Sequence, residues 1–135
     1  MSCSMTIDAV LDRTKTVTRR HVDTWRDLKP GDRLTLIEKG MGLPKGARQV
    51  VLAEVEITRV TVEPIGFALT EPDVCVREGL PWMLPEEFIA FWLKGHGYRR
   101  ATAAPWAVWH RGVLDPIDRV HCRRIEWRYL DEVRA

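Results

Sequence analysis

QVVLAEVEITRVTV, residues 49–62, is the stretch whose reading decides the fold. Val51, Ala53, Val55 and Ile57 share one face of an extended chain, whereas Val60 and Val62 fall on the opposite parity. A switch near Thr58–Arg59 predicts a bulge or a sharp bend. VHCRRIEWRYL, residues 120–130, does the same: Val120 and Cys122 lie on one parity, Ile125, Trp127 and Tyr129 on the other. Bent strands are what a small closed barrel needs.

Working outward, RLTLIE (33–38) reads as a strand entered through the turn LKPGD, where Pro30 fixes its own φ and Gly31 permits a positive one. KGMGLPKG (39–46) predicts a hairpin, and TVTRR (16–20) another short strand. Ile7, Val10 and Leu11, with Ser4 or Thr6 as a cap, predict a short helix ending near Arg13–Thr14. A second helix starts at Pro85, carries Phe88, Ile89, Trp92 and Leu93 on one stripe and ends at Gly95. The expected fold is mainly β with α (α+β): one domain over residues 1–135, a small barrel of five to six strands with two or three peripheral helices.

Composition narrows the class. The 135 residues are 45% hydrophobic and 30% charged, which excludes a disordered or fibrous chain. No run approaches the ~18 apolar residues of a membrane span, and Asp8 and Asp12 interrupt the start where a signal peptide needs an apolar core, so a cytoplasmic location is expected. Cys3, Cys75 and Cys122 form no C-x-x-C pair and read as small buried or semi-exposed thiols. Charge is divided unevenly: residues 1–37 hold 7 basic and 5 acidic groups, 38–93 hold 5 and 9, and 94–135 hold 9 and 5. If the two ends meet, they make a basic face for phosphate, with the acidic middle turned elsewhere.

Six tryptophans are many for this length, and each buries ~150–250 Å², so most are expected in the core. Trp25 and Trp82, in predicted loops, are the candidates for stacking on a base. Gly40-x-Gly42 and Gly95-His96-Gly97 lack the remainder of any phosphate-loop or dinucleotide fingerprint. His21, His96, His110 and His121 never form the i, i+4 pair of helix-borne zinc sites, so neither metal nor cofactor is expected. Ser2 and Ser4 are the sole serines, which argues against a serine hydrolase.

What remains is Lys15-Thr16-Val17-Thr18-Arg19-Arg20, a helix-to-strand junction crowded with donors. A chain leaving a helix at Lys15 can bring the ammonium back over the face of Thr18 and Arg20. A partly desolvated lysine near Arg20 has its pKa lowered, and a neutral amine is a competent base for a threonine hydroxyl. The bland alternative is a set of solvated surface charges.

K-T-V-T-R-R, then W-x-x-L-K-P-G-D, a long A-E-V-E-I strand, V-R-E-G before a helix and a terminal apolar strand together resemble the ASCH domain of phage and bacterial proteins, from about Ser4 to Leu130. That fold is similar to the PUA domain, a small β-barrel associated with RNA. Against the signature G-x-K-x-x-E-x-R, Lys15 and Arg20 match, Thr18 stands where many members have Glu, and Arg13 stands where Gly is usual. The Arg13 departure is expected to redirect the loop that presents Lys15. Thr18 in that position resembles a bacterial subset of amidohydrolases that deacetylate cytidine acetylated on its exocyclic amine. The resemblance then implies Lys15, Thr18 and Glu78 as catalytic residues, and Arg20, Thr16, Arg19, Trp25 and Trp82 as candidate ligand contacts. Two functions follow as expectations: a module binding RNA or a modified nucleoside or nucleotide in a basic cleft, or the amidohydrolase. A ribonuclease ranks below both, because no histidine pair is placed for acid–base cleavage. No protein partner is indicated.

Overall fold

A computed structural model of the chain describes residues 1–39, 44–102, 104 and 106–131. In chain order its elements are α1 (Ile7–Leu11), β1 (Val17–His21), β2 (Arg33–Ile37), β3 (Val51–Pro64), α2 (Val74–Glu78), α3 (Pro85–Gly95), β4 (Arg99–Arg100), β5 (Ala107–His110), β6 (Val113–Pro116) and β7 (His121–Tyr129), with a 3-10 turn at Ile65–Thr70. Strands dominate. A curled, half-barrel sheet has the order β1-β7-β3-β2, all antiparallel, and a smaller sheet has the order β4-β5-β6. Among the described residues the strands lie in two sheets, the larger curled like half a barrel, where one barrel of five or six strands was expected. β5 and β6 have four residues each, too few to display an alternation in the sequence.

The bend in the longest strand lies where the alternation predicts it. The register of β3 against β7 shifts between Ile57 and Arg59, leaving Thr58 as the extra residue. The parity switch in β7 has another cause. β7 pairs with β1 in unbroken register from Val17↔Glu126 to His21↔Cys122, and the sheet has apolar packing on both faces. Ile125, Trp127 and Tyr129 join one core with Leu36, Val55 and Ile57. Cys122 joins a second core with Phe88, Ile89, Trp92 and Leu93 of α3. Residues 40–43 of the predicted hairpin lie outside the described residues.

Two expectations are corrected. Of the tryptophans, Trp92 and Trp127 are buried, whereas Trp25, Trp82, Trp106 and Trp109 keep from 36% (Trp109) to 70% (Trp82) of their surface exposed. The basic ends do meet, since β1 pairs with β7, but the acidic middle is not turned away. Arg19 faces Arg124 across the strands, a like-charge pair that destabilises a sheet unless neutralised. Glu71 Oε1 lies 3.2 Å from Arg19 and 2.7 Å from Arg124, while Glu126 takes Arg124 at 2.8 Å and Arg77 at 2.6 Å. Much of the expected basic face is thus an internal ion-pair network.

Candidate functional site

The site forms where the turn after α1 delivers the chain to edge strand β1. Arg13 closes that turn at φ 68°, the left-handed region a glycine would occupy, so the loop keeps the path a glycine allows. Its guanidinium bonds Val10 O at 2.8 Å and Asp131 at 2.8 Å. Two further contacts fix Lys15: its N–H donates to Ala9 O at 3.0 Å and its carbonyl accepts the Tyr129 hydroxyl. The side chain turns inward, 3% exposed.

Lys15 Nζ donates to Val17 O at 3.0 Å and to Glu78 O at 2.5 Å. Glu78 is the last residue of α2, and Gly79, at φ 86°, ends that helix against Thr6 and Ala9. The Glu78 carboxylate is held by Arg19 Nη1 at 2.6 Å and stands 3.9 Å from Lys15 Nζ. Burial pushes the Lys15 pKa down, and this outweighs the opposing pull of Glu78. Glu78 is itself engaged by the closer Arg19. A neutral amine has two N–H bonds and one lone pair. In that form the two carbonyls would take both N–H groups and leave the lone pair for a proton donor.

Thr18 is 5% exposed, and among the described residues its hydroxyl has no hydrogen-bond partner. Lys15, Thr18 and Glu78 line one cavity of about 260 Å³, together with Arg19, Arg20 and Cys3. α3 supplies Phe88, Phe91 and Trp92 to its apolar side, and His96 follows. Such a volume lies just below the ~300–1,000 Å³ of common ligand pockets and suits one small molecule.

The other sequence-derived candidates divide. Arg20 borders the cavity but spends Nη2 on Ser2 O at 2.7 Å, and its buried Nε has no partner. Arg19 is committed to Glu78 and Glu71, so it orients the carboxylate. Thr16 points elsewhere and accepts from Arg77 Nε at 3.2 Å. Trp25 lines a separate depression with Asp23, Asp27 and Asp32, and Trp82 another with Met5 and Asp8. The tryptophan at the cavity is Trp92, whose Nε1 donates to Arg19 O at 3.0 Å. The sequence placed Trp92 on the core stripe of its helix. The signal for a second role was the i, i+4 spacing to His96, which puts both rings on one side.

Among the described residues no group of His, Cys, Asp and Glu is arranged to hold a metal ion, and no helix is long and apolar enough to cross a membrane. Comparison with protein-family models, curated proteins and solved structures gave no match to this chain.

Proposed function

We propose that the cavity binds a nucleoside-sized ligand and hydrolyses an amide on it, with cytidine acetylated on its exocyclic amine as the substrate that the ASCH resemblance suggests. The observation carrying this reading is Lys15: a buried amine that donates to two backbone carbonyls, in one cavity with an unpartnered threonine hydroxyl and a carboxylate.

In this mechanism neutral Lys15 takes the Thr18 proton as Thr18 Oγ1 bonds to the acyl carbon. The lysine proton then passes to the leaving nitrogen as its bond to carbon breaks. Water attacks the resulting threonine ester, Lys15 again accepts a proton and returns it to Thr18 Oγ1, and the carboxylic acid leaves. Glu78, held as a carboxylate by Arg19, accepts a hydrogen bond from the attacking water and orients it. Arg20, which borders the cavity, is the candidate donor toward the developing oxyanion.

Polynucleotide binding has less support, since Arg19, Arg124 and Arg77 are already paired with Glu71, Glu78 and Glu126. The binding test is salt dependence. A single strand that neutralises phosphates gives a log–log slope of ~−0.7 per phosphate, whereas a nucleoside gives a flat response. The activity test is incubation with acetylated cytidine followed by chromatography. Release of cytidine supports hydrolysis, and no release at high enzyme concentration removes that substrate.

A further inference from the structure

We propose that His96 is a specificity-determining residue of the cavity, presenting Nε2 as a fixed hydrogen-bond acceptor, so that the site selects ligands carrying an N–H or O–H at that point. This deepens the nucleoside reading and rests on it. The ring stacks on Trp92 with centroids 4.0 Å apart and planes 22° from parallel. His96 Nδ1 lies 2.7 Å from Trp92 O, and a carbonyl can only accept, so the proton of the neutral ring sits on Nδ1. Nε2 then carries the lone pair. Among the described residues it has no partner, and the ring is one wall of the cavity that also holds Lys15, Thr18 and Glu78.

The neighbourhood keeps the ring neutral. Burial and the charges of His21 and Arg20, both on β1, lower the His96 pKa, opposed by the bond to the Trp92 carbonyl at the end of α3. Across the cavity, the Glu78 carboxylate is occupied by Arg19, and Lys15 is turned to the carbonyls of Val17 and Glu78. A ligand carbonyl at Nε2 would oppose two lone pairs; an amino, amide or hydroxyl group would bond. Protonation of the ring reverses that preference, because a cation donates from both nitrogens.

The test uses the intact chain, with Thr18→Ala to prevent turnover and acetylated cytidine as the probe. Nitrogen-15 NMR of the free protein should show His96 protonated on Nδ1 alone, and the probe should shift Nε2. In calorimetry, His96→Phe should weaken binding about tenfold, while His96→Gln, whose amide oxygen can stand in for Nε2, should recover most of it. Binding should also weaken on acidification in the His96 form and not in the Gln form. An Nε2-protonated ring, or a Phe variant that binds as well as its parent, overturns the assignment. If neither the native chain nor Thr18→Ala binds acetylated cytidine, the nucleoside reading falls and this inference falls with it.

Discussion

Arg19 Nη1 sits 2.6 Å from Glu78 Oε2, joining an edge strand to the end of a helix through two side chains that are almost wholly buried. The same guanidinium reaches Glu71 at 3.2 Å, so one cation holds two carboxylates of the acidic middle segment. Lys15 is left to share Glu78 with Arg19, at 3.9 Å from the carboxylate against 2.6 Å for the guanidinium.

Removing one member of such a pair should be severe. Arg19→Ala is expected to destabilise the protein by about 3–5 kcal/mol, because Glu78 is stranded in a dry environment. Domains of this size are stable by ~5–15 kcal/mol, so the variant should unfold at much lower urea concentration. Arg19→Lys should fall between the two, keeping the charge but losing the planar fork that spans both acids.

The Lys15 amine predicts a sign for pH dependence. Unfolded lysine holds its proton up to about pH 10.4, whereas the folded group loses it at lower pH because burial disfavours the cation. Between those values the unfolded chain binds more protons, so this group makes stability rise with pH up to about 10.4 and fall as pH drops toward the folded pKa. Lys15→Met should flatten that slope in urea titrations at several pH values. Hydrolysis should follow the same direction, lost on acidification as the amine becomes protonated.

Arg13 occupies φ 68° without being glycine, which costs a side-chain-bearing residue ~1–2 kcal/mol. Arg13→Gly relieves that strain, but loses a half-exposed ion pair with Asp131 and gains freedom in the unfolded chain worth ~0.5–1 kcal/mol. The net change should stay within about 1 kcal/mol. Arg13→Val should cost more than 1 kcal/mol, since a β-branched residue resists that backbone conformation. Thermal unfolding of the two variants checks the contrast.

Gly79 has less latitude. At φ 86°, a Cβ would stand 2.9 Å from Thr6 Cβ and 3.1 Å from Ala9 Cβ. Gly79→Ala should therefore lower stability by about 1–3 kcal/mol and disturb the end of α2 that carries Glu78. A reduced midpoint in urea, together with a lowered rate of cytidine release, is the expected outcome.

The legible parts of the fold were those with local periodicity. Alternation around Thr58 exposed the bulge in β3, and the Phe88–Leu93 stripe together with Pro85 and Gly95 exposed α3. β4 to β6 were illegible because two to four residues carry no period. In β7 a real change of parity had a different origin, a sheet packed on both faces, which no single strand can reveal. At the site, Lys15 and Thr18 were marked by their density of donors in six residues. Trp92 and His96 were not, because a helix stripe reads the same whether it meets core or cavity. Trp25 and Trp82 line depressions other than the Lys15 cavity, and where a loop residue ends up depends on the whole fold.

Everything turns on whether Lys15 activates Thr18 in that cavity. The most direct measurement is the rate of cytidine release from acetylated cytidine by the native chain, Thr18→Ala and Lys15→Met, each shown to be folded. Native release with loss of at least a hundredfold in both variants is the predicted result. Absence of release by the native chain, or release by Thr18→Ala at the native rate, would contradict it.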